Sequence, residues 1–214
     1  MACCLFLFSG EPIQEDPRSF RSNKFQRTMV ESFCTFMCCF TYLCPAPAVC
    51  MMRKRALNND MTKYVCCQGY FDNPICRAGH CYETKYPNTC LCLESFCCLG
   101  PSMSATRLFV MDMYDLQPDS CDNRLIRFSN CMQFFSCVCS IASIFIREAR
   151  HASHLISLVS DAVFYTTLGL LASQVDYELK FRNPTKEQYE AIPVDEDHNL
   201  IAKGIPVKNE YYEN

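Results

Sequence analysis

Glycine and histidine are scarce in this 214-residue chain, at six and four residues, and the chemistry they usually build is missing with them. There is no glycine-rich phosphate loop, no G-x-S-x-G elbow, no H-E-x-x-H zinc site and no C-x-x-C redox pair. Hydrolytic, phosphoryl-transfer and thioredoxin-like activities have no foothold, so the chain is expected not to be an enzyme. A basic excess is absent too: 20 Lys and Arg stand against 23 Asp and Glu, for a net charge of −3. Nucleic acid is therefore not an expected partner, because phosphate binding needs a clustered basic surface. The opening Met1-Ala2-Cys3-Cys4-Leu5-Phe6-Leu7-Phe8 lacks the basic flank and long apolar run of a secretory signal.

Cysteine is abundant, with 19 residues. In a secreted chain such a density would point to a disulfide scaffold. Here many thiols sit inside apolar stretches such as Phe33-Cys34-Thr35-Phe36-Met37-Cys38-Cys39-Phe40, where a reduced cysteine acts as a small hydrophobe. Most are expected to be reduced, packed or lipidated, with disulfides among the loop cysteines as the alternative. Hydrophobic residues make up 50% of the chain, yet the mean hydropathy is only −0.04. Charged ends offset an apolar middle.

Met29, Phe33, Phe36, Met37 and Phe40 recur at helical spacing, which predicts a helix over Thr28 to Leu43 that Pro45 and Pro47 stop. Arg53-Lys54-Arg55 follows as a compact basic cluster, either touching anionic headgroups or forming a solvated helix end. Gly69, Pro74, Gly79 and Pro87 punctuate a cysteine-rich loop from Cys66 to Cys90. An apolar stretch over Cys90 to Leu99 is expected to break at Gly100-Pro101, with a second helix from about Met103 to Leu116. Phe128 to Ile146 then holds no charge, and Leu155 to Val175 holds only Asp161. At 1.5 Å per residue each is long enough to cross about 30 Å of hydrocarbon. With Arg147 to His154 as connector they predict an antiparallel helical hairpin, either spanning a membrane or buried in a helical bundle.

Three sets of residues are candidates for chemistry. Cys66, Cys67, Cys76, His80, Cys81, Cys90 and Cys92 are thiolate and imidazole donors of the kind that hold a structural zinc ion, although the spacings match no ribbon or finger. Metal, disulfide and unligated thiols stay open for this set, and no other cofactor is expected. Cys3 and Cys4, ahead of an apolar tetrapeptide, are candidate lipidation sites. Asp161 is a carboxylate within an apolar segment, so it should face a partner or an aqueous cavity. In the expected hairpin it lies level with Ser140 and Ser143, whose hydroxyls could donate to it.

The run Arg53-Lys54-Arg55-Ala56-Leu57-Asn58-Asn59-Asp60-Met61-Thr62-Lys63-Tyr64-Val65-Cys66-Cys67-Gln68-Gly69-Tyr70 resembles the central signature of an uncharacterised family of eukaryotic cysteine-rich membrane proteins. So do Cys90-Leu91-Cys92-Leu93-Glu94-Ser95-Phe96-Cys97-Cys98, and Ser104-Ala105-Thr106-Arg107 with the later Cys121-Asp122-Asn123. Met111 to Cys139, centred on Leu116-Gln117-Pro118-Asp119-Ser120-Cys121-Asp122-Asn123, is more distantly similar to the placenta-specific and cell-number-regulator family. That resemblance implies a small membrane protein of a kind associated with cation transport, metal resistance and organ size. The family's Cys-Cys pair and Cys-Pro-Cys are missing at the matching places, and Cys44-Pro45-Ala46 is a partial echo. Neither resemblance supplies catalytic residues.

The expectation is an all-α protein. A cysteine-rich helical membrane domain from 28 to 175 ends in a helical hairpin, flanked by disordered tails at 1–27 and 176–214. Its expected role is that of a non-enzymatic membrane component acting through partner contacts or self-association, with a cation channel or transport subunit, or a metal-binding membrane protein, as alternatives. Membrane lipids and a protein partner or second copy are the expected contacts, at an intracellular or plasma membrane with cytoplasmic tails.

Overall fold

The computed structural model describes residues 17–70, 82–146 and 149–182. Cys3, Cys4, Cys76, His80 and Cys81 lie outside the described residues, as do most of the expected tails. Six α-helices carry the described fold: α1 (Phe36–Leu43), α2 (Pro45–Ala56), α3 (Pro87–Cys97), α4 (Leu99–Met113), α5 (Ser120–Phe145) and α6 (Ala149–Arg182). The protein is all-α, with two-residue strands β1 (Asn23–Lys24) and β2 (Leu116–Gln117) paired in parallel as a clasp.

The first expected helix is divided. Cys34 adopts φ 59°, and Thr35 caps α1 by accepting from the Cys38 amide at 3.2 Å. Pro45 then ends α1 and starts α2, since a proline lacks the donor that a first turn does not use. The same logic corrects the break expected at Gly100-Pro101: both residues sit in the first turn of α4, which begins at Leu99.

Helices α1, α2 and α4 pack on the C-terminal half of α6 around a core of Met37, Val49, Met52, Met103, Val110, Leu168, Leu171 and Val175. The boundary expected at 175 falls inside this helix. Asp176 pairs with Lys180 and Arg55, Glu178 pairs with Arg182, and Leu179 is buried, so apolar and ionic contacts carry α6 on to Arg182. Part of the expected N-terminal tail is docked as well. Arg18 and Arg21 both bond Asp112, at 2.8 and 2.7 Å.

Close approach of α1 to α6 depends on Gly169. A Cβ there would stand 2.8 Å from the Cys38 carbonyl oxygen and 3.0 Å from its sulfur. Backbone cannot swing aside, so Gly169→Val is expected to destabilise the body by about 1–3 kcal/mol, the usual cost of overpacking. Thermal unfolding in detergent checks this, and a melt identical to the parent's would mean that α1 does not hold this position.

Candidate functional site

Helices α5 and α6 form the expected antiparallel hairpin, and its outer half stands clear of the body. Among the described residues its facing sides are small and polar. The Gln133 amide donates to the Ser160 carbonyl at 3.2 Å, Ser136 and Ser157 share a hydroxyl contact at 3.0 Å, and Ser140 and Ser153 approach to 3.5 Å. Its outer sides carry large apolar side chains, with Phe134, Phe135, Ile141, Ile144, Leu155 and Leu158 all exposed, beside the exposed Asp161 near the base and His151 and His154 near the tip. A helix pair in water does the reverse, burying its apolar stripe and exposing its polar face. Close packing through small residues with apolar side chains outward is the arrangement suited to lipid. Both helices are long and apolar enough to cross a membrane.

The three polar contacts define one register, and it corrects the level expected for Asp161. The connector was expected to span Arg147 to His154, but α6 starts at Ala149, so the turn is tighter and displaced. Ser140 therefore meets Ser153, about 12 Å along α6 from Asp161. Ser143 donates instead to the Ser140 carbonyl at 2.7 Å. Asp161 is exposed and lies one turn from Tyr165, where the hairpin joins the body, so its carboxylate is near the base of the hairpin rather than midway along it.

A second site lies within the body. The segment after α2 makes a tight reversal in which Cys67, Gln68 and Gly69 take φ of 47°, 50° and 70°, held by the Val65 amide donating to Gln68 at 3.1 Å. This turn brings the sulfurs of Cys66 and Cys67 and a carboxylate oxygen of Glu94 within 4.8 Å of one another, all buried. Glu94 accepts from Arg53 at 3.1 Å, from the Tyr64 hydroxyl at 2.7 Å and from the Cys67 amide at 2.9 Å. The carboxylate thus ties together α2, the 61–70 segment and α3.

Of the expected metal donors, the described structure joins Cys66 to Cys67 but separates them from Cys92, which is exposed on α3 beside Cys50 of α2. Cys90 lies one turn before Glu94 on α3 and packs against the main core instead. The basic cluster is divided as well: Arg53 is fully buried, while Arg55 stays partly exposed and pairs with Asp176, so the three do not form one patch. Glu94 is not legible as a member of this site because it stands 27 residues from Cys67 in sequence. Its one local signal is a lone carboxylate inside the apolar stretch from Leu91 to Phe96.

Hydrogen bonding to Cys67, then burial and the charge of Glu94, push the Cys66 thiol well above its ordinary range. Burial, followed by Glu94, does the same to the Tyr64 phenol. Both groups are protonated at neutral pH, and the Arg53 guanidinium beside Glu94 opposes a further cation. The arrangement is a neutral, hydrogen-bonded hub.

This hub predicts a pH dependence. In the unfolded chain thiols ionise near about pH 8.5 and phenols near about pH 10, while the native state keeps these protons. Above those values the unfolded state binds fewer protons than the native one, so stability falls as pH rises. Melting temperature is expected to be level around neutrality and to drop between about pH 9 and about pH 10.5. A melt unchanged over that interval would show that Cys66 and Tyr64 are not held in their protonated forms.

Comparison with known protein families, with curated proteins and with solved structures finds no match to this chain.

Proposed function

We propose that the protein is a non-enzymatic membrane component whose α5–α6 hairpin enters the bilayer while the helical body stays at its surface. One observation carries this reading: the hairpin has its serines inside and its large apolar side chains outside. From Tyr165 to Ala149 the projecting part of α6 is roughly 24 Å long, less than the about 30 Å of a hydrocarbon core, and its far turn carries the exposed Arg150, His151 and His154. A hairpin returns to the side it left, so the body and both chain ends share one face of the membrane, proposed to be the cytoplasmic face of an intracellular or plasma membrane. The body then supplies the surface for a protein partner or a second copy. Asp161 lends no support to a transport role, because it faces outward at the base of the hairpin and not into the Ser136–Ser157 interface.

Carbonate extraction of membranes from cells expressing the full chain tests the proposal. The protein is expected in the pellet, and recovery in the supernatant without detergent overturns insertion.

A further inference from the structure

Where the hairpin leaves the body, several helix ends meet at one level. Tyr42 of α1 packs edge to face on Tyr165 of α6, with ring centroids 6.2 Å apart. Gly100, in the first turn of α4, is so near Phe164 that an added Cβ would stand 3.3 Å from its ring. Cys44 joins α1 to α2 just past Tyr42, and Cys97 ends α3 just before Gly100. Both are exposed free thiols. Each adjoins a large apolar side chain left in the open, Leu43 beside Cys44 and Phe96 beside Cys97.

We infer that Cys44 and Cys97 are S-acylation sites whose long-chain acyl groups fasten the base of the hairpin to the membrane, an inference that rests on the proposal that α5 and α6 enter the bilayer. With the hairpin inserted, this level lies at the interface between hydrocarbon and water. A thiol there can meet an acyl donor from the aqueous side while the acyl chain passes directly into lipid, alongside Leu43 and Phe96. The other exposed thiols are placed differently. Cys34 and Cys39 flank residues that pack higher on α6, where Thr35 meets Ser173 and Cys38 meets Gly169. Cys137 lies within the projecting part of α5, beyond the interface. Cys92 is more than a turn up α3 from Cys97, beside Cys50.

The reaction is a transthioesterification and involves no oxidant or reductant. The cysteine sulfur attacks the carbonyl carbon of a long-chain acyl thioester of the coenzyme A class. A new carbon–sulfur bond forms, the bond to the carrier sulfur breaks, and the cysteine proton passes to the departing thiolate. Membrane binding by one weak anchor becomes durable when a second signal is added, and acyl chains beside the hairpin also fix the orientation of the body.

The test uses full-length protein recovered from carbonate-washed eukaryotic membranes. Free thiols are blocked, thioesters are cleaved with neutral hydroxylamine, and the released thiols are labelled with a maleimide mass tag. The parent is expected to carry two tags more than Cys44→Ser/Cys97→Ser, and one more than either single variant. Cys34→Ser/Cys39→Ser should keep the parent's tag number. Acylation elsewhere in the chain leaves these differences unchanged. If the double variant stays in the pellet and carries as many tags as the parent, acylation at Cys44 and Cys97 is overturned and insertion stands. Parent protein in the carbonate supernatant overturns both.

Discussion

Placing lysine at both Val138 and Leu158 is expected to move the protein from the carbonate pellet to the supernatant. Both side chains are exposed, on the two helices of the projecting hairpin. Counted from the level of Tyr165, Leu158 lies roughly 10 Å and Val138 roughly 15 Å along the helices, so both fall in the middle of the projecting part. A lysine at the centre of a spanning helix costs about 2.5–3.5 kcal/mol on the insertion scale, and two such residues outweigh the modest drive of serine-rich segments. The body should be unaffected, because it packs on the C-terminal half of α6, so far-ultraviolet circular dichroism should still report a helical protein. Ser157→Ala, on the inner side, is the comparison and should stay in the pellet. Carbonate-resistant double-lysine protein would mean that the outer face does not contact lipid.

Arg53→Met is expected to cost about 3–5 kcal/mol of stability, the penalty for stranding one partner of a buried ion pair. That is a large part of the 5–15 kcal/mol typical of a whole domain. Arg53 and Glu94 have side-chain exposures of 0% and 1%, and Arg53 also donates to the Ser102 carbonyl at 2.8 Å. Removing the guanidinium leaves Glu94 charged inside the body, with only the Tyr64 hydroxyl and the Cys67 amide still donating to it. Arg53→Met/Glu94→Gln should recover part of the loss, because the amide removes the stranded charge while its oxygen still accepts from the Tyr64 hydroxyl and the Cys67 amide. The Nε and Nη1 groups of Arg53 have no acceptor among the described residues, which favours that recovery. Chemical unfolding in detergent measures the cycle. A single variant as stable as the parent, or a double variant no better than the single, would contradict the pairing.

The same pair shows where reading the chain residue by residue stopped. Arg53-Lys54-Arg55 reads as one basic cluster, yet successive residues of a helix point in different directions. Arg53 turns into the core toward Glu94, while Arg55 turns toward Asp176 of α6. Cys66 and Cys67 were visible as donors, but their acidic neighbour belongs to another helix. Asp161 was visible as a lone carboxylate, but its level depended on a turn whose position composition does not specify.

Local pattern alone determined the helical class, the two long apolar segments, their return as a hairpin and the concentration of thiols. Each of these follows from hydrophobic periodicity, segment length or proline placement, which act over a few turns of chain. Tertiary structure decided the register of α5 on α6, the burial of Arg53 with Glu94, the docking of Arg18 and Arg21 on Asp112, and the packing of Tyr42 on Tyr165 and of Gly100 against Phe164. Those features join residues tens of positions apart. Their partners are chosen by which faces the packed helices bring together, and that choice is made by the core as a whole.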